Sequence, residues 1–272
     1  GSINAYTWQM GDGGRSADQD PTYNYKTASE YFVTLTTTSD RGCVADITKT
    51  ISVYDLPKPS FTVSPVCFRN FSAFKEQIVS TDAIDSIYWE FGDGANFLGT
   101  APRHIYNANG NYSVKLRTTT IQGCVAEVVS TATVYQKPEA DFIVNPVCFV
   151  ENSEFQNVSN NANSYTWNFG DGGFSVSEDP DYQYVNPGTY SVTLIAQNSF
   201  NCYDTAIVSA VVYENPVANF NFENVCLDAA FEPTEASIGD IDSRVWYFGS
   251  LGTSTISAPS FNFNTAGDYE VS

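Results

Sequence analysis

Apolar and polar residues alternate along much of the chain, as in Tyr165-Thr-Trp167-Asn-Phe169 and Tyr190-Ser-Val192-Thr-Leu194. A period of two places every second side chain on the same face of a strand. These runs therefore predict strands with one buried face, Trp167 and Tyr190 pointing inward. Turn-forming clusters separate them: Gly170-Asp171-Gly172, Asn186-Pro187-Gly188 and Asn201, with counterparts elsewhere. Glycine and asparagine tolerate the positive φ of tight turns, and proline presets the opposite corner.

The pattern repeats. Trp8, Trp89, Trp167 and Trp246 lie 81, 78 and 79 residues apart, and Tyr31, Tyr112, Tyr190 and Tyr269 follow the same intervals. Cys43, Cys124 and Cys202 obey the first two intervals, as do Cys67, Cys148 and Cys226. Fixed self-similarity marks an array of one unit. Proline-bearing joints, Leu56-Pro57-Lys58-Pro59, Gln136-Lys137-Pro138 and Glu214-Asn215-Pro216, divide the chain into 1–56, 57–136, 137–214 and 215–272. The first range lacks the start of a unit and the last lacks its end. About seven short strands per unit, a tryptophan in an early strand and a tyrosine opening a late one predict an all-β chain of tandem immunoglobulin-like sandwiches in an elongated array. The later tyrosine is expected to make a tyrosine-corner hydrogen bond.

Composition agrees: 42% of residues are hydrophobic and 15% aromatic, enough for packed cores, and methionine occurs once. The net charge of −19 repels phosphate backbones and anionic lipid surfaces, so neither nucleic acid nor a membrane surface is an expected partner. No apolar run approaches the roughly 18 to 20 residues of a membrane helix, and Gly1 to Trp8 does not read as a signal peptide.

The run Trp89-Glu-Phe91-Gly92-Asp93-Gly94, then Pro102-Arg-His-Ile-Tyr106 and Gly110-Asn-Tyr112-Ser-Val114-Lys-Leu116, resembles the PKD (polycystic kidney disease) domain. Trp167 through Leu194 and Trp8 through Leu35 do so too. The fourth unit departs, with Gly249-Ser-Leu-Gly252 in place of the Gly-Asp-Gly turn. Paired Val-Cys and later Gly-Cys or Asn-Cys motifs are similar to PKD arrays of giant Bacteroidota surface proteins, including gliding-motility adhesins. That likeness implies export by the type IX system and display on the cell surface.

Six cysteines at repeat-locked positions, with no Cys-x-x-Cys, point to disulfides rather than zinc or catalysis. Two connectivities are open. One joins Cys67 to Cys124 and Cys148 to Cys202 within units; the other joins Cys67 to Cys202 between neighbours. A disulfide needs Cα atoms within about 7 Å, whereas the turns carrying Cys67 and Cys124 fall at opposite poles of a sandwich, which favours the second. Cys124 then pairs with a cysteine upstream of Gly1, and Cys148 and Cys226 with cysteines beyond Ser272, and the array is a covalently locked rod.

Other candidate chemistry is sparse. Asp18-Gln-Asp20 and Glu178-Asp179-Pro-Asp181 offer oxygen ligands to calcium, but aspartates suit turns and no loop has the ordered ligand spacing of an EF-hand, so no cofactor is expected. Gly-Asp-Gly lacks the Gly-Lys-Ser/Thr ending of a phosphate loop. His104, the single histidine, is set beside Thr22 and Asp181 of sister units and is expected on the surface near a strand. No serine or cysteine nucleophile has a histidine partner, so no catalytic residue is assigned. Asp85-Ser86-Ile87 and Asp204-Thr205-Ala206 resemble the short O-glycosylation signal of Bacteroidota, which would modify Ser86 and Thr205.

The expected function is a non-catalytic extracellular stalk or adhesin segment that holds a binding tip away from the cell, its nearest partners being neighbouring units of the same chain. The alternative is an accessory region of a secreted polysaccharidase or protease, with Tyr88, Phe97, Phe174 and Tyr203 contacting surface glycans or other cell-surface proteins.

Overall fold

The computed structural model describes residues 2–272 and divides the chain into two compact units, Gly1–Gln136 and Lys137–Ser272. Gly1, with which the first expected range opens, lies outside the described residues. All regular structure among the described residues is extended.

Residues 3–53 form one four-stranded antiparallel sheet of β1 (Ile3–Gln9), β2 (Arg15–Ser16), β3 (Ser29–Ser39) and β4 (Val44–Val53), in the order β2-β1-β3-β4. Residues 58–135 form a complete sandwich from β5 (Lys58–Val63), β6 (Val66–Cys67), β7 (Ser72–Val79), β8 (Ile84–Glu90), β9 (Asn96–Leu98), β10 (Arg103–His104), β11 (Gly110–Thr120) and β12 (Val125–Tyr135). Its two sheets run β10-β7-β5 and β6-β12-β11-β8-β9. The third repeat copies this plan: β13 (Phe142–Val144), β14 (Val147–Cys148), β15 (Ser153–Asn157), β16 (Ser164–Asn168), β17 (Phe174–Ser175), β18 (Asp181–Tyr182), β19 (Gly188–Gln197) and β20 (Tyr203–Tyr213). The fourth shows three short ribbons built from β21 (Phe220–Asn221), β22 (Ala230–Phe231), β23 (Thr234–Glu235), β24 (Trp246–Tyr247), β25 (Thr253–Ser254) and β26 (Phe261–Asn262).

The complete repeats have eight strands rather than about seven, because the sequence after the first strand bends at Pro65 or Pro146 and the next two residues cross to the other sheet. There Val66 and Cys67 pair in parallel with Val134 and Tyr135, and Val147 and Cys148 with Val212 and Tyr213. Two residues are too short to carry a period, so the crossing was not readable as a pattern.

The alternating runs bury the residues they predict. Trp89, Val114 and Leu116 in the second repeat, and Trp167, Val192 and Leu194 in the third, are fully buried. Phe74 and Phe155 of the opposing sheets pack on the indoles, with ring centroids 5.6 Å apart in both repeats. Burying such a side chain contributes about 1.5–3 kcal/mol, so each aromatic core outweighs any single surface contact. In the first repeat the equivalent Val33 and Leu35 are only half-buried, since no second sheet covers them among the described residues.

Candidate functional site

Each repeat carries the same set of internally directed polar groups. The indole N–H of Trp8, Trp89, Trp167 and Trp246 donates to the carbonyl ten residues on: Asp18, Gly99, Ser177 and Ile256, at 2.9–3.1 Å. The hydroxyl of Tyr31, Tyr112, Tyr190 and Tyr269 donates to the carbonyl four residues back, at 2.7–2.8 Å, which is the expected tyrosine corner. For the buried Trp89, Trp167 and Trp246 these bonds satisfy indole donors that burial would otherwise leave unpaired, a cost of about 1–3 kcal/mol each.

A ladder of rings runs up one end of each sandwich. In the third repeat Phe169 stacks on Tyr182 at 4.0 Å, Tyr182 meets Tyr184 edge-on, and Tyr184 stacks on Tyr190 at 3.9 Å. The second repeat has Phe91, His104, Tyr106 and Tyr112 in those places; the fourth has Phe248, Phe261, Phe263 and Tyr269. Tyr25, Tyr106 and Tyr184 donate to the carbonyls of Met10, Phe91 and Phe169. Burial raises the pKa of Tyr106 and Tyr184 far above the ordinary phenol value, so both stay protonated donors.

The Gly-Asp-Gly turn is tied to this ladder. Asp12, Asp93 and Asp171 each accept from the backbone N–H two residues on, at 2.9–3.0 Å. Each also accepts from the ring eleven residues on: Tyr23 at 2.9 Å, His104 Nε2 at 2.7 Å and Tyr182 at 2.9 Å. The Gly14 amide, with Tyr23, holds the Asp12 carboxyl below the usual carboxylate range. Burial pushes Asp93 up, but the bonds from His104 and the Ala95 amide prevail and its carboxyl also lies low. In the fourth repeat Ser250 replaces the aspartate and Phe261 the ring partner, so both halves of the contact are absent together.

The placement of His104 corrects the expectation that it lies on the surface beside the counterparts Thr22 and Asp181. Its side chain is 16% exposed, and its ring occupies the place of Tyr23 and Tyr182, stacked 4.3 Å from Phe91. Strand register puts His104 opposite Ser72, as it puts Tyr182 opposite Ser153. Asp93, His104 and Ser72 nevertheless form no hydrolytic triad. Ser72 is wholly buried, its hydroxyl has no hydrogen-bond partner, and Ser153 behaves identically beside a tyrosine.

A family model for the PKD domain matches residues 1–54, 66–135 and 136–212. The chain belongs to the PKD domain family. It is 34% identical over 109 residues to the pre-pro-metalloprotease PrtV of Vibrio cholerae serotype O1, a match covering 36% of this chain and 12% of the protease. The chain thus spans a small part of that curated relative. Among solved structures, the PKD1 domain of Vibrio anguillarum Epp is 24% identical, covering 29% of this chain and 98% of that domain, with a TM-score of 0.27. The mouse nectin-like molecule 4 ectodomain is 12% identical, covering 77% and 90%, with a TM-score of 0.33.

Within the PKD repeats the cysteines fall into two sets. Cys67 and Cys148 lie beside Tyr135 and Tyr213, at the far end of the last strand, whereas Cys124 and Cys202 lie in the hairpin that opens that strand. Eleven residues at about 3.3 Å each separate the two positions by roughly 35 Å, far beyond disulfide reach. No bridge within a repeat is compatible with this geometry. Cys67 and Cys202 are disulfide-bonded; Cys43, Cys124, Cys148 and Cys226 are free thiols.

The acidic loops serve as acceptors. Asp18 accepts from the Ser16 hydroxyl at 3.0 Å, and Asp179 from the Asn157 amide at 2.8 Å. No cluster of three or more His, Cys, Asp or Glu side chains suited to a metal ion occurs among the described residues. Of the aromatics expected to contact ligands, Phe174 is 79% exposed, Tyr203 60% and Phe97 40%, while Tyr88 is half-buried. Thr205 lies exposed on β20 and Ser86 half-buried on β8. No helix of the described residues is long and apolar enough to cross a membrane.

Proposed function

We propose that these PKD repeats are a non-catalytic, extracellular structural segment of a large bacterial surface protein, spacing a distal binding tip and carrying tension. One observation carries this reading: the recurring tryptophans, tyrosines and turn aspartates direct their polar atoms into their own repeat. A binding or catalytic centre leaves such groups converging on open space. The likeness to Bacteroidota gliding adhesins supplies the setting, with export by the type IX system and display on the cell surface.

The same reading makes Cys67 and Cys202 partners, clamping the second repeat to the third. The intra-repeat distances and the free thiols of Cys124 and Cys148 support it. Such a bridge contributes about 2–4 kcal/mol. Digestion of the non-reduced protein followed by mass spectrometry is expected to yield a Cys67–Cys202 peptide pair; a Cys67–Cys124 or Cys148–Cys202 pair overturns the clamp. Single-molecule extension of the chain is expected to give discrete high-force events. Reduction should release the hidden 134 residues between the two cysteines, about 48 nm at roughly 3.6 Å per residue. Smooth low-force extension overturns the load-bearing role.

The similarity to part of a metalloprotease favours a second reading, accessory modules of a secreted enzyme that contact glycans or proteins. Exposed Phe174 and Tyr203 are the surface it would use. Loss of binding to a glycan or protein array on Phe174→Ser would support this reading over the stalk.

A further inference from the structure

The cations of the chain are unevenly shared. Residues 57–136 hold six Lys and Arg against six Asp and Glu, whereas residues 137–214 hold one against ten. Within the second repeat the cations divide between the two sheets. On the five-stranded sheet Lys115 and Arg117 lie 3.4–4.0 Å from Glu90 and Glu127, so that face neutralises itself. On the three-stranded sheet Lys58, Lys75 and Arg103 are exposed beside Ser60, Thr62 and Gln77. None of these three cations takes part in an ion pair among the described residues. The one carboxylate of those strands, Glu76, alternates to the other side of β7, where it accepts from the Ala101 amide at 2.9 Å.

The equivalent sheet of the third repeat reverses the sign. An interval of 81 residues carries Lys58 to Glu139, Ser60 to Asp141 and Ala73 to Glu154, and an interval of 78 carries Arg103 to Asp181. Strand pairing gives the same equivalences: Lys58 faces Val79 as Glu139 faces Asn160, and Arg103 faces Ala73 as Asp181 faces Glu154. All four acids are exposed, and no Lys or Arg lies on β13, β15 or β18. Glu154 and Asp181 are direct cross-strand neighbours, an unfavourable arrangement for like charges in a sheet left to itself. On the basic face the Arg103 guanidinium lies 5.7 Å from the centre of the Phe71 ring, a contact that limits the side-chain freedom association would otherwise remove.

We infer that the outer face of β5, β7 and β10 is a docking surface, and that its occupant is the outer face of β13, β15 and β18 in a second copy of this chain. The two faces share one backbone plan and carry opposite charge at matched positions. Each face is of a single sign, so strands that meet parallel or antiparallel both set bases against acids. An anionic polymer would explain the basic face but leave the reversal in the third repeat unaccounted for. Exposed ion pairs are weak singly, so the contact draws its strength from several formed at once. Copies of charge −19 repel at long range, but a Debye length of about 10 Å at 0.1 M salt screens distant charges and spares those in contact.

Sedimentation equilibrium of the full chain tests the contact, with the exposed thiols of Cys43, Cys148 and Cys226 alkylated so that no disulfide joins two copies. At about 0.1 M salt the average mass should rise with concentration up to about 0.3 mM; at about 1 M, where the Debye length is near 3 Å, it should return to that of one chain. Lys75→Glu with Arg103→Glu, and Glu154→Lys with Asp181→Lys, should each weaken self-association at least about tenfold. Mixed in equal amounts, the two variants should associate with one another as strongly as the parent does with itself, because acid again meets base. Each double change shifts the charge of −19 by four units, so both variants stay acidic and overall charge does not draw them together. Near-ultraviolet circular dichroism checks that each is folded, and the single changes Arg103→Glu and Asp181→Lys carry the same comparison if a double variant is not. A parent that stays monomeric at both salts, variants that associate as the parent does, or folded variants that ignore each other in the mixture overturn the proposal. Retention of a monomeric parent on a sulfated polysaccharide, lost with Lys75→Glu and Arg103→Glu, would overturn it too and give the basic face to an anionic polymer. None of these results alters the Cys67–Cys202 peptide map or the extension trace, so the two readings fail separately.

Discussion

At the scale of single residues, the Asp93–His104 contact shows how one position accepts different chemistry. A tyrosine hydroxyl in two repeats and an imidazole nitrogen in a third reach the same carboxylate. The folded Asp93 carboxyl titrates below its unfolded value, so the folded state resists protonation. Its contribution to stability is complete above an unfolded pKa of about 3.9 and disappears as pH falls through the lower folded value. Denaturant titrations between pH 6 and about pH 2 should therefore show the second repeat of Asp93→Asn losing less stability on acidification than the parent. Equal losses would remove the pair from the account. The tryptophans and corner tyrosines were legible because each recurs as the same residue type at one interval. The ring partner was not, since its type changes from Tyr23 to His104 to Tyr182 to Phe261. Those residues nevertheless keep the intervals of 81, 78 and 79, which was the available signal.

Among the elements, the Gly-Asp-Gly turn separates two demands on glycine that its sequence writes alike. Gly170 has φ of 89°, and a Cβ there would lie 2.6 Å from the Ser191 carbonyl of the adjoining strand; Gly92 meets Ser113 in the same way. Gly172 also has positive φ, 100°, but a Cβ there points into open space. Gly170→Ala is expected to cost about 2–4 kcal/mol and Gly172→Ala about 1–2 kcal/mol, read from chemical denaturation. Comparable costs would show that backbone conformation, not strand approach, governs the turn. The hairpin itself was plain from its residues. What could not be read was the neighbour, because that clash is made by a strand some twenty residues away in sequence, and β6 and β14 stayed hidden for the related reason that their partners are still more distant.

For the molecule as a whole, the second and third repeats enclose their tryptophans between two sheets built on the same plan. The parallel contacts of β6 with β12 and β14 with β20 have a further effect. They join a segment near the entry of each repeat to the segment at its exit, secured by Phe68 N–H to Tyr135 and Phe149 N–H to Tyr213, both 2.8 Å. Pulling the entry and exit apart drags these paired segments lengthwise past each other, loading their bonds in shear together instead of unzipping them one after another.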